Sequence, residues 1–534
     1  MNNKTLKKEF EKIEQSIKSE EYEKALELLR QSKYIKKEIH YGLFTIWIGT
    51  ETNREYLLNE GIKFTEKKLK QKKFTQDLTD ITHYNLGNGY GAIFDIAIQQ
   101  GKSRYEVYEL AKKARSYFEK VTPASSSYSE ARTNIGNLMD TKTLGRPIEA
   151  INFYEDALSK NPRHAMALGN KAMAIQDLAP VSEYSETCLV YAYQLYCQAL
   201  NETHSLASTG GPNALQIFTM EKDRIKKIFK LHHKQELLKK DLVHPPADQS
   251  AMTEFLKFYT EFCLNNDLYL NLHMFDKSSE ASTKDSLIIN PVTLINNSEY
   301  ANEYFFRLNE IKEAYITARY ILCKSQFTNV ETSTISKKTV LINTLDYSAV
   351  NLYVGLLKSA YKETIGVLDK IAILLNKYMQ LGHVEKSSYL NYRNIWYTDS
   401  TKMYKAFNIW GIKIAIRKKQ QRKINLVMIK CENTYLFGVY SLCQEIALLD
   451  NGIRNALTHR YLRVFRAING PEGTYTFEEL SNKTIQMQYL VKSTIISLIS
   501  FINVEESKKK QQLSKKGETM VSIPLPSDQM LDLW

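Results

Sequence analysis

From Asp346 onward, apolar residues recur at intervals of three and four: Tyr353, Leu356, Leu357, Ala360, Thr364, Val367, Leu368, Ile371, Leu374, Leu375 and Tyr378. That spacing predicts one long helix of about eight turns with a single buried stripe, closing near Gly382 as its C-cap. A polar stretch bearing Trp396 and Trp410 follows, from 383 to about 425. A second long helix is predicted from about Tyr435 through Ala467. A last one runs from about Phe477 to Val504, after the turn Gly470-Pro-Glu-Gly473. Beyond it the chain is polar, with Lys508-Lys-Lys510, Lys515-Lys516, Pro524 and Pro526. Residues 506–534 therefore read as a flexible basic tail.

The first 200 residues repeat loosely. In the clearest unit, about Ser129 to Pro162, Asn134-Ile-Gly-Asn137 lies in one helix and Ala150, Tyr154 and Ala157 in the next. Small residues at Gly136, Ala150 and Ala157 allow close antiparallel packing, Tyr154 fills the space between units, and Pro162 stops the second helix. Asn85-Leu-Gly-Asn88 with Ala114 and Phe118, and Tyr22 with Ala25 and Leu29, are partial copies. The pattern resembles the tetratricopeptide repeat, with its period of about 34 residues. The resemblance covers roughly residues 5 to 200 and implies a solenoid. Such a stack either presents a concave surface to a protein or peptide or simply supports the rest of the chain. Lys239 to Ser250, with Pro245-Pro246, is the best boundary, giving a repeat region at 1–238 and a helical middle at 239–344. There, Arg307, Glu310, Glu313 and Arg319 read as a solvated helix face with local ion pairs. His232 and His233 read as solvated too.

Composition agrees with an all-α class. Among 534 residues only 21 are Gly and 11 Pro, too little punctuation for a turn-rich β architecture. The apolar share of 43% with 25% charge describes a folded chain. The excess of 72 basic over 59 acidic residues, +13, permits an anionic partner without demanding one. The six cysteines are scattered with no C-x-x-C pair, so neither a structural zinc nor a disulfide framework is expected. The start of the chain reads as an ordinary polar helix, and the apolar run Thr494 to Val504 is too short for a membrane span. The expected compartment is a reducing cytoplasm, with no membrane partner, no metal and no cofactor.

The candidate chemistry lies in Asp450-Asn-Gly-Ile-Arg454-Asn455-Ala-Leu-Thr-His459-Arg-Tyr461. On a helix, five residues advance about 7.5 Å and turn roughly 140° past a revolution, so Arg454 and His459 would line a groove crossing the helix. Asp450 lies one turn before Arg454 and Asn455 one turn before His459, each as a supporting neighbour. An imidazole titrating near neutrality can move the proton of an RNA 2′-hydroxyl. A guanidinium can hold phosphate oxygens and the charge that builds on them, with no metal required. The same spacing also arises by chance in long helices.

This constellation resembles the HEPN superfamily, small helical bundles with an Arg-x4-6-His motif, often Arg-Asn, on a late helix. Arg454-Asn455-Ala-Leu-Thr-His459 fits, Tyr461 fits the form with His-x-Tyr, and Leu352 to Leu381 looks like an opening helix. The similarity covers 345–505, with an insertion at 383–434 about which it implies nothing. It implies a metal-independent endoribonuclease acting as a homodimer or higher oligomer on RNA, with His459 as acid/base, Arg454 as phosphate clamp, and Asn455 and Tyr461 in support. In prokaryotes such domains serve antiviral defence and toxin systems, and a repeat array beside one would sense a protein or peptide trigger. The alternative is a catalytically quiet interaction module in which Tyr461 is modified by a partner enzyme. Asp369 would face the site or pair with Lys370 or Lys362. Arg417, Lys418, Lys419 and Arg422 either grip an RNA backbone or form a solvated loop.

Overall fold

Helical periodicity is realised almost throughout, and only four two-residue strands accompany the helices among the described residues. The computed structural model describes residues 3–239, 252–272, 279–289, 293–294, 299–342, 348–381, 383, 390–397, 431–450, 452–459, 462–465, 474–516 and 521–522. The chain divides into two compact units. The first is Met1–Gln176 with Val190–Lys239; the second is Asp177–Leu189 with Lys240–Trp534.

Among the described residues the first unit is built from α1 (Asn3–Lys18), α2 (Tyr22–Gln31), α3 (Ile39–Glu51), α4 (Glu55–Gln71), α5 (Gln76–Gln99), α6 (Arg104–Phe118), α7 (Tyr128–Met139), α8 (Pro147–Lys160), α9 (Ala165–Leu178, as far as Gln176), α10 (Ser185–Asn201, from Val190), α11 (Thr203–Thr209) and α12 (Gly211–Leu231). Local chemistry sets their starts. The Thr75 hydroxyl accepts from the Leu78 amide at the head of α5, Ser103 and Glu106 form a capping box on α6, and Pro147 opens α8. Neighbours pair antiparallel. Tyr128 reaches Asp156, and Ser129 reaches the Ala157 carbonyl, across α7 and α8. Gly136 is needed there, because a Cβ would collide with the Tyr154 ring. Tyr154 is fully buried, and its hydroxyl donates to Asn137 at 3.0 Å, so it fills the seam within the pair rather than the space between units. The same contact of a glycine with a ring recurs as Gly87 on Phe118. His232 and His233 are exposed, as expected.

The second unit contains α13 (Glu254–Asn265), α14 (Glu299–Gln326), α15 (Val330–Lys337), α16 (Leu352–Tyr378), α17 (Thr434–Asp450), α18 (Ile453–His459) and α19 (Phe477–Lys516). The stripe predicted on α16 is its core face: Leu357, Val367, Leu368, Leu374 and Leu375 are wholly buried. Asn351 caps its start by accepting from the Val354 amide at 2.9 Å. Its end differs from expectation. Gln380, at φ +52°, takes the left-handed position, and the Leu381 amide reaches back to the Asn376 carbonyl, closing a Schellman turn before Gly382. Gly382 itself lies outside the described residues.

Helix α14 runs antiparallel along α16: Glu303 pairs with Lys377, Glu310 with Lys370, and the Tyr304 and Tyr378 rings meet edge-on. The supposed solvated face of α14 is thus partly an interface. Arg319 departs furthest from expectation. It is buried, holds Asp285 with two bonds of 2.8 and 2.7 Å, and also donates to the Leu268 carbonyl and the Tyr259 hydroxyl. A buried guanidinium needs such partners to repay its lost hydration. Cys263 and Cys323, distant in sequence, bring their Sγ atoms to 3.7 Å.

The last helix is longer than its apolar run suggests. α19 continues through Lys516, with Lys508 and Lys509 paired to Glu505 and Glu506 one turn back, so 506–516 extend the helix instead of opening a tail. It is long and apolar enough to cross a membrane, yet 83% of its most apolar window is buried inside the protein. Val521–Ser522 pairs antiparallel with Thr293–Leu294.

Candidate active site

The Arg/His motif does not ride on one continuous helix. α17 ends at Asp450, Gly452 takes φ +82°, and the seven-residue α18 begins at Ile453. A left-handed glycine ends the first helix at little cost, and Asp450 then starts the second. Its Oδ1 accepts the Arg454 amide at 2.9 Å, satisfying one of the donors a helix start leaves open. Asp450 is therefore a cap for α18 and not an orienting partner for the Arg454 guanidinium. It is almost completely buried, and it also accepts from the Tyr361 hydroxyl at 3.1 Å and from Arg393. Burial, and then the Asp450 charge, push the Tyr361 hydroxyl well above the ordinary phenol range, so it stays a donor.

The Arg454 guanidinium turns to α16, where Nη2 donates to Asp369 Oδ2 at 2.5 Å. Asp369 thus pairs with neither Lys370 nor Lys362. Its other oxygen accepts the Tyr392 amide at 3.3 Å, so one carboxylate joins α16, α18 and the 390–397 segment. That segment belongs to the insertion at 383–434, about which the family resemblance implies nothing. It is anchored by Trp396, which is wholly buried, donates to the Tyr392 carbonyl at 2.9 Å and packs edge-on against Tyr440 of α17. The anchor carries Arg393, whose Nε donates to the Tyr392 hydroxyl at 2.9 Å and whose side chain remains 43% exposed. Burial pushes the Tyr392 hydroxyl up to about 12.

Arg393, Arg454, Asn455 and Thr458 face a cleft of about 390 Å³, with Asn391, Asn394 and Asp450 completing its polar wall. The structure brings Arg454, Asn455, Asp450 and Asp369 together. His459 closes α18 five residues after Arg454, as a backbone position only. Tyr461, Arg417, Lys418, Lys419 and Arg422 lie outside the described residues. Downstream of the motif the chain is pinned to α16 and to the residues just before it: the Lys358 ammonium donates to the Leu462 carbonyl at 2.8 Å, and the Ala349 amide to the Val464 carbonyl at 2.7 Å. Among the described residues, no group of three His, Cys, Asp or Glu side chains could hold a metal.

Arg393 and Tyr361 went unnoticed in the sequence. Tyr361 is a polar-tipped residue inside an otherwise apolar face of α16, which hints at a buried partner. Asn391-Tyr-Arg-Asn394 before a Trp has no spacing that ties it to residue 450.

Residues 295–505 match the family model described as LA2681-like HEPN. The chain carries a HEPN domain of that kind. The match begins at 295 and not at 345, so the LA2681-like HEPN domain takes in α14, the helix that runs antiparallel along α16. No curated protein and no solved structure matches the chain.

Proposed function

We propose that the HEPN domain is a metal-independent endoribonuclease with its active site in the Arg393–Arg454 cleft. The observation that carries this reading is the convergence of two guanidiniums and the Asn455 amide on one solvent-open cleft at the helix bearing His459. Two guanidiniums supply planar donors for a bridging phosphate and for the charge that grows on it during attack by the 2′-hydroxyl. His459 takes that proton and returns one to the leaving 5′-oxygen; Asn455 and Tyr461 support the phosphate and the imidazole. The acidic partners of Arg393 and Arg454 keep the cleft preorganised until RNA arrives. The basic run Arg417, Lys418, Lys419 and Arg422 adds phosphate contacts. A second copy of the domain completes the site in a homodimer. The protein works in the cytoplasm as a prokaryotic defence or toxin effector, its N-terminal unit acting as a tetratricopeptide-like array that senses a protein or peptide trigger.

One observation favours a quieter reading. Arg454 is already paired with Asp369, and Arg393 with Asp450, as in a structural network. In that case the domain is an interaction module and Tyr461 a target for modification. The two separate in one experiment. Total RNA is followed after expression of the parent, Arg454→Ala and His459→Ala chains, with cleavage repeated in EDTA. Cleavage by the parent alone, indifferent to EDTA, supports the nuclease. RNA that stays intact with the parent, or is cut equally by His459→Ala, rejects it.

A further inference from the structure

The first unit carries a second cationic site that the HEPN chemistry does not use. Where the end of α4, the start of α5 and the end of α6 meet, two adjoining hollows of about 460 and 260 Å³ share Glu66, Tyr117 and Lys120 in their walls. Together their walls hold six lysines against the single carboxylate of Glu66. Lys70, Lys72, Lys73, Lys113 and Lys120 have no ion-pair partner among the described residues, and all five are exposed. Only Lys112 is paired, with Glu109. Surface lysines on soluble helices usually alternate with acids, as Lys18 does with Glu14 and Lys24 with Glu21 elsewhere in this unit. Gathering unpaired ammoniums around a concavity costs self-repulsion, which a bound anion would offset.

Tyr117 lines both hollows, and the buried Tyr90 behind it holds it in place. Tyr90 and Tyr117 stack with ring centroids 5.7 Å apart and planes 7° from parallel. Both hydroxyls donate to the same Glu66 oxygen at 2.8 Å, which fixes the rings and engages the one local carboxylate. The Lys113 and Lys120 ammoniums sit 5.0 and 4.6 Å from the Tyr90 and Tyr117 ring centres. Phe74 lines the larger hollow beside Tyr117. Lysines on flexible stems suit phosphates as point charges, and the half-buried Phe74 ring beside the Tyr117 edge suits a base. An acidic peptide would use the charge but leave the rings idle.

We propose that this hollow binds nucleotide phosphates together with a base, presented either by a free nucleotide or by single-stranded RNA. The inference is independent of catalysis in the HEPN domain. It is tested with the full chain carrying His459→Ala, so that RNA is not consumed. Binding of a fluorescein-labelled RNA octamer and of ATP is measured by anisotropy and calorimetry. The parent for this comparison also carries Arg393→Gln/Arg454→Gln, which silences the cleft, and the test chain adds Lys72→Gln/Lys73→Gln/Lys120→Gln. The expected result is binding by the parent that the triple lysine variant weakens at least ten-fold. With three or four phosphates engaged, affinity for the octamer should fall roughly 20- to 50-fold between 50 and 200 mM salt, at about 0.7 log unit per phosphate for each tenfold change in salt. Binding of the octamer alone identifies a strand as the source, and binding of ATP as well identifies the nucleotide unit. Ligand protection of Lys72, Lys73 and Lys120 from acetylation, read by mass spectrometry on the unmutated site, decides the matter if the triple variant misfolds. The proposal is overturned if neither probe binds, if the lysine variant binds as tightly as the parent, if those lysines are acetylated equally with and without ligand, or if polyglutamate competes as well as RNA.

Discussion

Asp369 is the most informative single position in the HEPN domain, because its carboxylate occupies the guanidinium that the proposed reaction assigns to phosphate. The perturbation is Asp369→Asn, which keeps shape and can still accept the Tyr392 amide but removes the charge facing Arg454. The pair is partly open to water, with side-chain exposures of 33% for Arg454 and 24% for Asp369. Solvent screening therefore limits it to roughly 0.5–1 kcal/mol. If RNA must displace Asp369 to reach Arg454, that energy returns as affinity, roughly 2- to 5-fold at about 0.6 kcal/mol per RT. Arg454→Ala should act in the other direction. Loss of a charge-assisted bond to phosphate, worth about 1.5–3 kcal/mol, weakens binding roughly 10- to 150-fold. The assay is anisotropy of a labelled single-stranded RNA at fixed salt, in the His459→Ala background and with Lys72→Gln/Lys73→Gln/Lys120→Gln present so that only the cleft is read. Thermal melts confirm that both variants fold. If Asp369→Asn weakens binding as much as Arg454→Ala does, Asp369 is holding Arg454 in its working position and the competition argument is wrong.

Three further outcomes follow from packing and burial. Asp450→Ala strips a buried acceptor from the Tyr361 hydroxyl, removes the α18 cap and frees Arg393; urea unfolding should show a loss of about 3–4 kcal/mol, and no loss would mean that α18 holds itself in place. Gly136→Ala drives a Cβ into the Tyr154 ring and should destabilise the first unit by about 1–3 kcal/mol, visible as an earlier thermal transition, whereas an unchanged transition would show that the seam between α7 and α8 can open freely. Lys492 on α19 is fully buried, donates to the Asp267 carbonyl at 3.3 Å, and is held down to about 7 by burial, against the smaller pull of Asp267 and Asp285. Its proton affinity is lower folded than unfolded, so the unfolded chain binds the extra proton between about pH 7 and 10, and stability should climb with pH across that window. Lys492→Met should flatten that climb and raise stability at pH 7, and a slope surviving the substitution would assign it to another group.

The fold was legible where burial follows a single face. The α16 stripe and the Gly136–Tyr154 seam rest on contacts between residues close in sequence or on one periodic row, and periodicity reports those directly. The site was only half legible for the converse reason. Arg454 and Asn455 announce themselves by spacing, but the partner that determines the state of Arg454 sits 85 positions away on α16. Arg393 arrives from a stretch with no helical period at all, held in place by a buried indole. The apolar rhythm runs on past residue 450 and so predicts one continuous helix where α17 and α18 are two. The break depends on one backbone angle at Gly452 and one side-chain cap, neither of which interrupts a hydrophobic pattern. That break has a consequence for the chemistry. A straight helix would continue α17 through Arg454, whereas the glycine lets α18 start anew, capped by Asp450 and held to α16 through Asp369. The two carboxylates that make the cleft less cationic are therefore the same groups that build it. Removing either one trades local charge for local order, and the opposite signs expected for Asp369→Asn in binding and Asp450→Ala in stability express that trade.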